Sequence, residues 1–302
     1  MSTTKFTNFL AQYKDNETKK LRNFTATQFA EVWSHYDADG NGYIEGSELD
    51  SFLSEFIVSI LGEDINPDEL NKETLSDLKR DFLDAFDQNS DNKIEMSELA
   101  QVLPTDEVFL LLFRKDAPLD SSVEFMKIWK QFDKDQSGFI EADELKNFLS
   151  EFLKEARPEE QILEEKLIEY TSTMLQLFDS NKDGKLQLSE MARLLPVKEN
   201  YLCRPIFKNA DKITTVDIEN VFHLYDRDKN GTIENEELQG FLKDLLALVQ
   251  EDYDKDDLEF FRQIILNEWD VNHDGKISMN ELKMMLMQQS RLAKLTHLEP
   301  RQ

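Results

Sequence analysis

Asp37, Asp39, Asn41, Glu45 and Glu48 stand at positions 1, 3, 5, 9 and 12 of a twelve-residue stretch whose sixth residue is Gly42 and whose eighth is Ile44. Oxygen donors at this spacing surround a hard divalent cation. Alternate residues of a tightly wound loop point inward, the backbone carbonyl of position 7 (Tyr43) adds another oxygen, and the Glu at position 12 closes the shell with two. Calcium is the ion that takes a flexible shell of about six to eight such oxygens. Glycine at position 6 permits the sharp left-handed turn that a side chain resists.

The stretch recurs in the same register as Asp87 to Glu98, Asp133 to Glu144, Asp179 to Glu190, Asp226 to Glu237 and Asp270 to Glu281. Position 3 reads Asp39, Asn89, Asp135, Asn181, Asp228 and Asn272, and position 5 reads Asn41, Asp91, Ser137, Asp183, Asn230 and Asp274. Position 7, acting through its carbonyl, is Tyr43, Lys93, Phe139, Lys185, Thr232 and Lys276; position 9 is Glu45, Glu95, Glu141, Gln187, Glu234 and Ser278. All six copies start with Asp and end with Glu. One such stretch is also what an acidic surface turn looks like, but six in register identify the calcium loop of the EF-hand. Position 6 is Gly except in the second loop, where Asn92 is the residue after Gly that best tolerates a left-handed backbone. That loop is expected to bind, less tightly than the others.

Loops of this kind need helices on both sides. An aromatic precedes each loop (Tyr36, Phe86, Phe132, Phe178, Tyr225, Trp269), and an apolar residue lies four positions upstream (Trp33, Leu83, Trp129, Leu175, Phe222, Leu266). This is the stripe of an amphipathic entering helix, and core packing is its expected use. Leu49, Leu99, Leu145, Met191, Leu238 and Leu282 follow the loops and open the exiting helices. Position 8 is always Ile or Leu, where two facing loops would join through a very short antiparallel β ribbon. Odd loops carry Trp or Phe upstream and even loops Leu, so the repeating unit is the pair, with starts 96 residues apart from the first loop to the third and 93 from the third to the fifth. Leu103-Pro104 and Leu195-Pro196 end the helices after the second and fourth loops. Ser121 and Glu124 have the spacing of a capping box for the third entering helix. The predicted fold is all-α, with six hands in three tandem pairs. An N-terminal segment (1–22) precedes pairs at 23–107, 108–200 and 201–290, packed into one body, and a tail (291–302) follows.

The chain of 302 residues carries 62 Asp and Glu against 35 Lys and Arg, a net charge of −27. Of the acidic residues, 22 occupy positions 1, 3, 5, 9 and 12 of the loops, leaving 40 against the 35 basic ones. The charge is concentrated in the sites, and six divalent ions would bring it to −15. Within an empty loop, two carboxylates about 5 Å apart at an effective dielectric near 20 repel by roughly 3 kcal/mol, so a looser, lower-melting metal-free form is expected. The net charge argues against nucleic acid and against anionic membranes as partners. The apolar runs are too short to span a bilayer, and Met1 to Lys5 show neither a secretory stretch nor a myristoylation glycine. One cysteine, Cys203, excludes internal disulfides and Cys-rich zinc sites and is expected to be a small buried hydrophobe. A soluble intracellular protein is expected. The histidines (His35, His223, His273, His297) lie apart and away from any nucleophile, and no phosphate-cradling glycine loop exists, so catalysis is not expected.

With loop number, order and the segments Val123-Glu124-Phe125-Met126-Lys127-Ile128-Trp129, Leu186-Gln187-Leu188-Ser189-Glu190-Met191-Ala192 and Gly231-Thr232-Ile233-Glu234-Asn235-Glu236-Glu237-Leu238, the sequence resembles the six-hand calbindin, calretinin and secretagogin family, and within it the insect-type calbindins. The resemblance runs from about Phe6 to the sixth hand. It implies a helical, monomeric calcium protein of the cytoplasm, and also the nucleus, in neurons or muscle. Vertebrate members often have a silent second or sixth loop; here both keep their ligands at positions 1, 3, 5 and 12. Up to six calcium ions are expected, with magnesium competing because a Glu at position 12 can switch to one-oxygen binding. Two functions stay open. One is a high-capacity buffer, and the other is a sensor that exposes apolar grooves to helices of protein targets. Met279, Met284, Met285 and Met287 cluster on the last helix, where packing in the core of the third pair is expected over a sensor groove. The residues Gln288 to Leu298 are expected to extend that helix.

Overall fold

A computed structural model describes residues 8–61, 72–88, 90–113, 119–159, 161–198, 202 and 214–296; residues 61, 72–73, 113 and 288–296 are described by backbone alone. Cys203, His297 and the position-3 residue Asn89 fall outside this set. Among the described residues there are thirteen α-helices and four two-residue strands. The first hand is α1 (Ala26–Tyr36) and α2 (Gly46–Leu61), and the second is α3 (Lys72–Phe86) and α4 (Met96–Val102). A four-residue helix, α5 (Glu107–Leu110), follows. The third hand is α6 (Ser122–Phe132) and α7 (Ala142–Ala156), the fourth α8 (Glu164–Phe178) and α9 (Leu188–Leu194). The fifth is α10 (Thr215–Tyr225) and α11 (Asn235–Leu246), the sixth α12 (Lys255–Trp269) and α13 (Met279–Thr296). The last helix therefore does extend past Gln288. No described helix is long and apolar enough to cross a membrane.

Local sequence sets where the entering helices begin. Thr25 with Gln28, Thr214 with Asp217, and Asp254 with Asp257 form reciprocal capping boxes at α1, α10 and α12. At α6 the expected box is only half formed. Ser121 Oγ accepts from the Glu124 amide at 3.4 Å, but the Glu124 carboxylate accepts from the Asp120 amide at 2.9 Å. With its φ of −165°, Ser121 is extended, and the amide within reach is the preceding one.

The short ribbons form where expected. Ile44 and Ile94 exchange backbone hydrogen bonds of 2.9 and 3.1 Å as an isolated antiparallel bridge. In the other pairs the ribbon has two residues per strand: β1 (Ile140–Glu141) pairs with β2 (Lys185–Leu186), and β3 (Thr232–Ile233) with β4 (Ile277–Ser278). All six position-8 side chains are fully buried, each contributing about 1.5–3 kcal/mol relative to exposure. The Leu-Pro motifs acquire a role as well. Phe24 bridges in parallel to Thr105, and Leu119 to Val197, so the chain entering each of the first two pairs lies beside the chain leaving it, just past Pro104 and Pro196. Before the loops, Trp33, Trp129, Phe222, Tyr36, Phe132 and Tyr225 of the odd hands are buried, whereas their counterparts in the even hands (Leu83, Leu175, Leu266, Phe86, Phe178, Trp269) are half-buried. Core packing of this stripe is complete only in the odd hands.

By contacts the chain divides into two compact units, residues 1–115 with 149–177, and residues 116–148 with 178–302. Two of the three cuts fall inside α7 and α8 of the second pair. The first unit is threaded by aromatics: Phe29 meets Phe109 edge-on and Phe109 meets Tyr170 at a tilt, each pair with ring centroids 5.6 Å apart, and Tyr36, Phe52, Phe56, Phe82 and Phe86 form a second run. The 3-10 helix Phe9–Tyr13 is part of this unit, tied by Tyr13 to Glu31 (2.7 Å) and by the Phe9 amide to Glu55 (2.5 Å).

In the second unit the most extensive contact between described helices is α6 on α11. Gly240 makes it possible, because a Cβ there would lie 2.7 Å from the Val123 nitrogen and 2.8 Å from the Ser122 carbonyl carbon. Beside it, the buried Asp244 accepts from Ser122 and Tyr225 hydroxyls at 2.6 Å each, and Lys243 lies over the Phe125 ring. Burial pushes the Asp244 carboxyl up and the Lys243 amine down. Because backbone, not a yielding side chain, faces Gly240, Gly240→Ala is expected to cost about 1–3 kcal/mol. A lowered thermal midpoint of the calcium-loaded protein checks this.

Candidate metal centre

The six loops share one hydrogen-bonded frame. Each position-12 Glu folds back over its loop: one oxygen accepts from the position-2 amide at 2.8–3.0 Å (Ala38, Gln88, Lys134, Ser180, Arg227, Val271), the other from the position-9 amide at 2.8–3.5 Å. Each position-1 Asp accepts from the position-6 amide at 2.8–3.3 Å, and each position-5 side chain from the position-7 amide at 2.8–3.3 Å. Backbone amides thus hold the side-chain oxygens of positions 1, 5 and 12 in every loop.

Two left-handed residues make each loop turn. Position 6 has φ between 79° and 88° at the five glycines and 64° at Asn92, so asparagine takes the conformation expected of it. Position 4 is also left-handed, at Gly40, Ser90, Gln136, Lys182, Lys229 and His273 (φ 57–70°). Sequence reading missed this, since the residue types there share nothing beyond tolerance of the turn.

The carboxylates converge. In the first, third and fifth loops, oxygens of Asp37, Asp39 and Glu48, of Asp133, Asp135 and Glu144, and of Asp226, Asp228 and Glu237 lie within 4.8 Å of one another. In the fourth and sixth loops position 3 is Asn, and its amide oxygen accepts from the position-5 amide at 2.9 Å (Asn181) and 3.2 Å (Asn272). One observation tests the fit to a cation directly: Asp37 Oδ1 is buried with no hydrogen-bond partner, while its Oδ2 accepts from Gly42. A buried anionic oxygen with no donor is costly unless a cation meets it. Hard, all-oxygen donors suit calcium or magnesium rather than softer metals. Burial, then the neighbouring carboxylates, raise the Asp37 and Glu98 carboxyls above the usual carboxylate range, and Glu190 rises for the same reasons, burial leading.

The side chains at position 7 of the even loops carry a feature that sequence reading overlooked by counting only their carbonyls. Lys93 reaches Glu45 of the facing loop at 3.2 Å and lies over the Tyr43 ring. Lys276 reaches Glu234 at 2.5 Å, and Lys185 lies 3.4 Å from the Phe139 ring centre. A lysine at the same place in all three even loops was the available signal.

The model of the EF-hand domain pair matches residues 26–103, 122–195 and 215–287. These loops, ribbons and matches define an EF-hand calcium-binding protein. The chain belongs to the calbindin, calretinin and secretagogin family: it is 60% identical to calbindin-32 of Drosophila melanogaster over 93% of this chain and 91% of that one. It is also 44% identical to secretagogin of Xenopus laevis (86% and 94% covered) and to human calretinin (88% and 93% covered).

Two outcomes follow from the geometry. Because Asp37, Glu98 and Glu190 bind protons more tightly folded than unfolded, protonation favours the metal-free fold. Stability lost as pH rises through their raised values is regained as pH falls. The thermal midpoint in chelator is expected to rise as pH is lowered from neutral toward the upper edge of the carboxylate range. In the second loop, Asn92→Val places a β-branched residue at φ 64°, costing roughly 1–2 kcal/mol. Calorimetric calcium titration of that variant is expected to show one site weakened by about five- to thirtyfold, and Asn92→Gly to show no such loss.

Proposed function

We propose that this protein is a high-capacity calcium buffer in which all six loops bind. The observation that carries this reading is the hydrogen-bonded frame repeated in every loop, including the second despite Asn92. Ligands oriented by their own backbone need little rearrangement to take the ion, and buffer hands open little. The ligands are the oxygens at positions 1, 3, 5, 9 and 12 with the position-7 carbonyl, held in functional pairs spanning 23–107, 108–200 and 201–290. Magnesium competes at these sites through the all-Glu position 12. The protein acts as a cytoplasmic monomer without catalytic activity; the scattered histidines support the last of these.

A sensor role is the second reading, and one observation favours it. Of the methionines on α13 that were expected in the core, Met285 is buried but Met284 and Met287 are 44% and 38% exposed, and Phe260 and Ile264 on α12 are 67% and 39% exposed. Apolar side chains there suit a target helix. Native mass spectrometry across calcium concentrations is expected to count six bound ions, four or fewer contradicting the six-site reading. A hydrophobic dye followed in the same titration is expected to show little change. A large calcium-dependent rise would favour the sensor.

A further inference from the structure

Lys255, the first residue of α12 in the sixth hand, contacts the third loop. Its Nζ lies 3.2 Å from Asp133 Oδ2 and 2.8 Å from the Gln136 carbonyl oxygen, and its stem lies over Gly138, where an added Cβ would come within 3.0 Å of Lys255 Cδ. Asp133 is position 1 of that loop and its side chain is 3% exposed. Among the described residues, no other position-1 Asp is paired with a lysine or arginine. We propose that Lys255 is an affinity-setting residue of the third site, a cation from the third pair that lowers calcium affinity in the second pair and ties that site to the sixth hand.

Orientation and charge are the two effects such a lysine has. Orientation is already supplied, because five loops position their first Asp by the position-6 amide with no lysine, and Gly138 donates to Asp133 in the same way at 3.3 Å. What Lys255 adds is a positive charge on an oxygen pair whose function is to attract a dication. In the metal-free loop it offsets the repulsion among Asp133, Asp135 and Glu144, and a bound dication must act against it. The lysine's contact is therefore strongest without calcium. By reciprocity, the same coupling makes filling of the third loop weaken the hold on the start of α12. Sequence spacing gave no hint of this, because Lys255 lies 122 residues from Asp133.

The inference rests on calcium binding at the third loop, and the test separates the two claims. The Gly138 amide, which donates to Asp133, reports that loop in calcium titrations of the isotope-labelled full chain followed by NMR, and the Gly42 amide reports the first loop. Lys255→Met keeps the stem over Gly138 and removes the charge. It is expected to move the Gly138 midpoint to about threefold lower calcium, in line with a part-exposed charge, and to leave Gly42 unmoved. Lys255→Arg is expected to keep the original midpoint. A Gly138 midpoint that stays put or moves to higher calcium in Lys255→Met would overturn the proposal. A Gly138 amide that ignores calcium in the unaltered chain would overturn the third-site assignment itself.

Discussion

Confinement of like charge is the constraint on which the rest of this structure depends. Each loop gathers three or four carboxylates at its ligand positions, and nothing in an isolated peptide would hold them together against their repulsion. The backbone does so here, through amides that point at positions 1, 5 and 12, and the turn that aims those amides requires left-handed residues at positions 4 and 6. The helices secure the ends of the loop. The first Asp caps the entering helix with its amide bonded one turn back, and the last Glu sits in the first turn of the exiting helix, where a negative charge is favoured. The Ile and Leu side chains at position 8 then lock two loops back to back.

That constraint also explains where the lysines lie. Lys93 and Lys276 reach across the ribbon to the position-9 Glu of the facing loop, and Lys255 reaches the first Asp of the third. Each ammonium offsets part of the carboxylate crowding, although Lys93 and Lys276 also offer their backbone carbonyls as position-7 ligands. In the second unit, the buried Asp244 with Ser122 and Tyr225, and the close approach at Gly240, fix α6 against α11. Two hands from different pairs are thereby joined through backbone-close packing.

Most of the site was legible in the sequence, because a calcium loop is a local object: its ligands, its turn glycine and its ribbon residue lie within twelve positions, and repetition removes the ambiguity of one copy. The ribbons and the helix-ending Leu-Pro motifs follow from the same local rules. Legibility failed where distance along the chain intervened. The pairing of Lys255 with Asp133 depends on how two pairs pack, as does the need for glycine at 240, which in sequence is an unfavourable residue inside a helix. The methionines of α13 show the same limit: spacing placed Met284, Met285 and Met287 on one helix, but which of them faces inward depends on what the helix meets. Grouping by tandem pairs also differs from grouping by contacts, since the second pair contributes to both compact units.

If confined charge is the central strain, the ion that neutralises it must be a large source of stability. Thermal unfolding of the full chain, compared in excess calcium and in excess chelator at neutral pH, measures this directly. A clearly higher midpoint is expected with calcium, because each filled loop replaces carboxylate repulsion with ion–oxygen attraction and ligand binding to the folded state alone is stabilising. Superimposable melting curves would contradict it.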